Sequence, residues 1–173
     1  MRFRKSNRAH WTKEGFVLIP PIRHAKGILG IVGNEFFEEI FEARKYLAIM
    51  SPWLTKKYVE RTRKLSRDGI LVRIITGNDK TNQWSGGKGH RSALEFLKET
   101  GNEDENFQFK MLTNLHSKMI IVDDRIAMTG SANFTYMGFF KNVEHISVTR
   151  NRDDVIKLAT AFKKYWEHWE ARN

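Results

Sequence analysis

The sequence predicts an α/β fold in which a mixed β-sheet carries helices on both faces. Three observations support this. Short apolar runs alternate with stretches of helical period along most of the chain. The runs near 116–122 and 125–129 are joined by Asp123-Asp124, a hairpin connection that makes part of the sheet antiparallel. The 173 residues, 40% hydrophobic and 29% charged, suffice for a buried core and contain no repeat or linker, so one domain over 1–173 is expected.

Residues 1–15 have no period and carry Arg2, Arg4, Lys5, Arg8 and Lys13, the pattern of a mobile basic arm. Phe16 to Ile19 reads as a short strand stopped by Pro20-Pro21. Phe36, Phe37, Ile40 and Phe41 fall at helical spacing over 35–45, with Asn34 as N-cap, and Tyr46 to Met50 reads as a buried strand. Thr55 is placed to cap a helix that runs to Arg67 and ends before Asp68-Gly69. Ile70 to Ile75 is a β-branched strand, followed by a loop over 77–89 rich in Gly, Asn and Lys. A helix over 90–99 ends at Gly101, and Phe107 to Leu112 alternates like a strand. Strands follow at 116–122, 125–129 and 143–149, then a helix over 153–171. Val155, Leu158, Phe162, Tyr165, Trp166 and Trp169 make an apolar stripe on it, suited to core or dimer packing.

With no cysteine, the chain has no disulfide, thiolate metal site or thiol nucleophile. No run approaches the roughly 18 apolar residues of a membrane span, and no secretory leader is legible before Pro20-Pro21. A cytoplasmic protein is expected. The net charge of +10 is uneven. Acidic residues cluster at 35–42 and 95–105. Positive charge concentrates in the arm, over Lys56 to Arg67, and in the loop with Lys80, Lys88 and Arg91. Such clustering fits a polyanion partner, and also simple solubility.

The chemistry concentrates in His116-Ser-Lys118, with Asp123 after four residues and Gly130-Ser131-Ala-Asn133 after six more. On a strand, His116 and Lys118 share a face. A cation beside an imidazole can hold a phosphate while the imidazole attacks it or donates a proton. Gly130 permits close backbone approach, and the Ser131 hydroxyl and Asn133 amide can bond phosphate oxygens. Asp123 lies an odd offset from His116, so strand geometry turns it from the phosphate towards a supporting role.

This pattern resembles the signature of the phospholipase D superfamily at every fixed position, and Asn142-Val-Glu144 is similar to the family's downstream Asn-x-Glu element. The resemblance covers residues 116–144 and implies a metal-independent phosphodiesterase with no cofactor. It makes His116 the nucleophile of a phosphohistidine pathway, and Lys118, Ser131 and Asn133 the phosphate-binding groups. Glu144 would hydrogen-bond and orient His116, and Asp123 completes the catalytic signature. The motif occurs once. Since in-line displacement also needs a proton donor opposite the nucleophile, the resemblance to short members implies a homodimer that pairs two His116 side chains across one composite site.

The other histidines offer no second motif. His145 follows Glu144 and faces the opposite way on a strand, so it is expected to pack in the core. His90, Lys88, Arg91 and Trp84 are candidates for a nucleic-acid groove. Trp84 would stack on an unpaired base or anchor the loop, and His90 would line the groove or simply begin a helix. No metal-ligand spacing is visible: Asp123-Asp124 and Asp153-Asp154 are adjacent pairs. A nuclease acting on DNA or RNA is the leading expectation. A phospholipid hydrolase would want an apolar docking surface, which the sequence does not reveal. A binding module without turnover is the third alternative.

Overall fold

The computed structural model describes residues 10–11, 17–78, 87–101 and 104–170. The expected arm over 1–15, apart from His10 and Trp11, and Trp84 lie outside them. Nine strands are described: β1 (His10–Trp11), β2 (Val17–Leu18), β3 (Lys26–Gly30), β4 (Tyr46–Ser51), β5 (Leu71–Gly77), β6 (Phe107–Leu112), β7 (Met119–Val122), β8 (Ile126–Gly130) and β9 (Glu144–Thr149). β1 and β2 pair separately, and the other seven form one sheet in the order β3-β9-β8-β7-β4-β5-β6. The helices are α1 (Asn34–Ile40), α2 (Lys56–Arg67), α3 (Gly87–Thr100), α4 (Tyr136–Phe140) and α5 (Arg152–Glu170).

The sheet is mixed. β4, β5 and β6 are parallel, and α2 and α3 supply the crossovers such connections need. The remaining pairs are antiparallel, including the β7–β8 hairpin in register Val122↔Ile126. Asp123 takes a φ of 52° at its turn, a left-handed conformation that Asp tolerates better than most residues.

Both faces of the central strands are buried, which explains their unbroken apolar runs. Leu47, Ile49, Ile74, Ile120 and Val122 pack with Phe37, Val59, Leu94 and Phe139 from α1 to α4. Ala48, Met50, Ile121 and Ala127 pack on the other face with Val155, Leu158, Phe162 and Trp166 of α5. Of the stripe on the last helix, Val155, Leu158, Phe162 and Trp166 are core and Tyr165 packs against them, while the Trp169 side chain lies outside the described ones.

Several elements depart from expectation, among them β1 inside the expected arm. α1 ends at Ile40 rather than 45, because the N–H groups of Arg44 and Lys45 bond the Asp123 carboxylate instead of helix carbonyls. Gly33, not Asn34, is its N-cap. The strand begins at Met119, leaving His116, Ser117 and Lys118 in the segment leading into it. The edge strand β3 and the one-turn helix α4 were not foreseen. Thr55 does occupy an N-cap position, but its hydroxyl accepts from Tyr136 N at 3.1 Å, joining α2 to the start of α4.

Candidate active site

The ends of β4, β8 and β3 and the starts of β7 and β9 meet along one end of the sheet. There a cleft of about 850 Å³ is lined by His116, Lys118, Ser131, Asn133, His145 and Trp53, among others. The His116 imidazole is exposed and has no hydrogen-bond partner among the described residues. Lys118 is 8% exposed, and its Nζ donates to the His116 carbonyl oxygen at 2.6 Å. Burial holds this ammonium below the ordinary lysine value, and the nearby Glu144 carboxylate acts against that lowering.

Glu144, 7% exposed, accepts the Ser131 hydroxyl in a short hydrogen bond, and Asn142 Nδ2 at 3.1 Å. The Ser131 hydroxyl oxygen accepts in turn from His145 N at 3.0 Å, and Ser131 N donates to the His145 carbonyl at 3.0 Å. These bonds fix the end of β8 against the start of β9. Gly130, at φ 151°, permits the approach: a Cβ there would collide with the His145 carbonyl and lie 2.7 Å from Ile146 Cα.

Asn133 sits where the β8–α4 loop meets the β4–α2 loop. Leu54 and Phe134 form a parallel bridge, Thr55 N donates to Phe134 O at 3.1 Å, and Phe134 N donates to Ser51 Oγ at 2.9 Å. Gly138 lets α4 abut the Asn133 backbone, since a Cβ there would lie 2.9 Å from Asn133 N. The result is an exposed imidazole beside a buried cation, with a hydroxyl and an amide in the same cleft. Such a set can bind a phosphoryl group and attack it. Among the described residues, no group of three or more His, Asp or Glu side chains could hold a metal ion.

A family model described as "Cardiolipin synthase, PLD-like domain" matches residues 36–166. The chain belongs to the phospholipase D superfamily. Two solved structures share its fold: NucT from Helicobacter pylori (TM-score 0.61, 19% identical, covering 83% of this chain and 97% of that one) and the phospholipase D family member Nuc from Salmonella typhimurium (TM-score 0.64, 19% identical, covering 83% and 95%). A mitochondrial cardiolipin hydrolase from Chlamydomonas reinhardtii is 26% identical over 104 residues, 60% of this chain and 43% of that protein. The chain thus spans under half the length of that curated relative.

The residues expected from the sequence lie at different places in the fold. His116, Lys118, Ser131 and Asn133 converge on the cleft, and Glu144 joins them through Ser131. The expected Glu144–His116 hydrogen bond is corrected: both Glu144 oxygens are engaged by Ser131 and Asn142. Asp123 lies at the far end of β7, where it accepts from the backbone N–H of Arg44, Lys45 and Tyr46. This removes it from the catalytic set and fits the supporting role its offset indicated. A depression of about 1100 Å³ beside it has no imidazole and is separate from the cleft.

His145 is not a core residue. Its offset from Glu144 was read correctly, but the face it points to is uncovered, and it is exposed at the cleft. His90 is corrected in the opposite sense. It is buried, and its Nδ1 accepts from Leu54 N at 3.2 Å, so it braces the β4–α2 loop rather than lining a groove. Lys88 and Arg91 are exposed beside it on α3. Trp53, an aromatic just beyond a buried strand to which the sequence assigns no definite role, also lines the cleft. Sequence reading missed an apolar strip on the outer strands, where Leu29 (78% exposed), Ile31 (57%) and Val143 (71%) share a face with His145.

Proposed function

We propose that this phospholipase D superfamily member is a nuclease that cleaves DNA or RNA through a phosphohistidine on His116, without a metal ion. The observation that carries the reading is the pairing of an exposed His116 imidazole, unpartnered among the described residues, with the buried Lys118 ammonium in one cleft. In the first step a His116 nitrogen attacks phosphorus, a P–N bond forms, and the P–O bond to the leaving group breaks. Lys118 and Asn133 hold the phosphoryl oxygens as charge builds, while the one hydroxyl proton of Ser131 is given to Glu144, which corrects the phosphate-binding role expected of Ser131. Water then displaces His116. Glu144 keeps Ser131 in place and supports the charge of Lys118.

The net charge of +10 supports nucleic acid as substrate. So does the basic start of α3: Lys88 and Arg91 flank His90, which bonds the loop carrying Trp53. The proton for the leaving oxygen is assigned to His116 of a second copy, in a homodimer. The aliphatic strip of Leu29, Ile31 and Val143 beside the cleft supports a covered surface there.

A second reading is a phospholipid hydrolase. The same exposed strip and the likeness to a cardiolipin hydrolase favour it. No helix among the described residues is long and apolar enough to cross a membrane. The test is incubation in EDTA with single- and double-stranded DNA, RNA, cardiolipin and phosphatidylcholine. Cleavage of nucleic acid alone, with binding that weakens steeply in salt, supports the nuclease; turnover of lipid alone replaces it with the second reading.

A further inference from the structure

Two polar atoms in the cleft are buried without a hydrogen-bond partner among the described residues: Nε1 of Trp53, a donor, and Oδ1 of Asn133, an acceptor. Their chemistry is complementary, and the fold makes their residues neighbours. Leu54 and Phe134 form a parallel bridge, so the preceding residues, Trp53 and Asn133, are neighbours across the two loops. Leu54 and Phe134 point into the core, so the side chains before them turn the other way, towards the cleft. Both backbones are held: Ser51 Oγ donates to Trp53 O at 2.7 Å, and Thr135 N donates to Asn133 O at 2.7 Å.

An asparagine amide helps a phosphoryl group only if its Nδ2 donors face the phosphoryl oxygens, because Oδ1 in that place would repel them. Some donor must then hold Oδ1 on the other side. We propose that Trp53 is the positioning residue for Asn133. When a phosphoryl group draws the Asn133 Nδ2 donors towards it, the Trp53 indole N–H closes onto Oδ1 and fixes the orientation of the amide. This rests on the phosphodiester reading above. Trp53 itself does not touch the reacting atoms.

The test combines a spectroscopic signature with a double-mutant cycle on the full chain. With tryptophan labelled by nitrogen-15, added inorganic phosphate is expected to move the Trp53 indole N–H resonance in the unmutated protein and leave it in place in Asn133→Ala. In cleavage assays Trp53→Phe, which keeps the ring and loses the N–H, is expected to lower kcat/KM about tenfold, and Trp53→His to restore part of that loss. Combined with Asn133→Ala it is expected to add nothing further. Losses that multiply, or a Trp53 resonance that shifts equally in Asn133→Ala, overturn the pairing. If the unmutated chain neither binds phosphate nor cleaves any phosphodiester, the phosphodiester reading fails as well. Intact cleavage with a silent Trp53→Phe sinks the pairing alone.

Discussion

Lys118 folds back on His116: its buried Nζ donates to the carbonyl oxygen of His116 at 2.6 Å, so the cation fixes the backbone that carries the imidazole. The same ammonium lies near the Glu144 carboxylate, which favours its charged form. In the proposed reaction one side chain would therefore supply both the charge for a phosphoryl group and the anchor for its nucleophile.

This arrangement makes stability and binding depend on pH in opposite senses. Burial lowers the Lys118 pKa below its unfolded value of 10.5. Between the two values the unfolded chain holds more protons, so the contribution of Lys118 to stability rises with pH across that window. Affinity for a phosphodiester falls across it, because the ammonium is lost. Urea denaturation and oligonucleotide binding, each followed from neutral pH to pH about 10, check both trends. Lys118→Met is expected to remove this part of each dependence; an unchanged pH response in that variant would show that another group is responsible.

Glu144→Gln tests how the carboxylate acts. The amide cannot accept on both sides as the carboxylate does from Ser131 and Asn142. A stability loss on the order of 1–3 kcal/mol is expected. Without the negative charge that raises the Lys118 pKa, the alkaline limb of activity should move to lower pH. A limb that stays in place while stability drops would limit Glu144 to a structural role.

Asp123→Asn separates scaffold from chemistry. Asp123 accepts three backbone N–H groups, from Arg44, Lys45 and Tyr46, at the end of β7 away from the cleft. The expected cost is about 2 kcal/mol in stability, with cleavage per folded molecule unchanged. A large fall in kcat with the melting temperature preserved would return Asp123 to the catalytic set.

The strip on β3 and β9 bears on assembly. Leu29→Asp with Val143→Asp introduces charge on two exposed positions beside the cleft. Sedimentation of the unmutated chain is expected to show a dimer, and the double variant a monomer. A unmutated chain that is monomeric and active contradicts the composite site. Binding of the unmutated chain to anionic vesicles, lost in the variant, would assign the strip to a lipid surface instead.

Much of this was readable in advance, for a physical reason. Strands buried on both faces, such as Tyr46–Ser51, must be apolar throughout, and the site residues have spacings set by a hairpin. β3 (KGILG) escaped notice because it has two glycines and lies at an edge, with no demand for an apolar face. α4 is too short, at five residues, to show a period. The position of His145 could not be settled by alternation alone, because that gives the face and not whether α5 covers it. The proximity of Trp53 and Asn133, eighty residues apart, depends on a single bridge between loops. Glu144 was recognised as a site residue, but its hydrogen-bond partner was decided by Ser131 lying between it and the rest of the cleft.

In the proposed reaction His116 becomes covalently bonded to phosphorus. The most direct measurement is mass spectrometry of the peptide containing His116 after a rapid quench, with the cleaved phosphodiester and EDTA present. The expected result is an adduct on His116 of the phosphoryl fragment that keeps its remaining ester, lost together with turnover in His116→Ala. Turnover that persists in His116→Ala, or that requires a divalent ion and leaves no adduct, would contradict it.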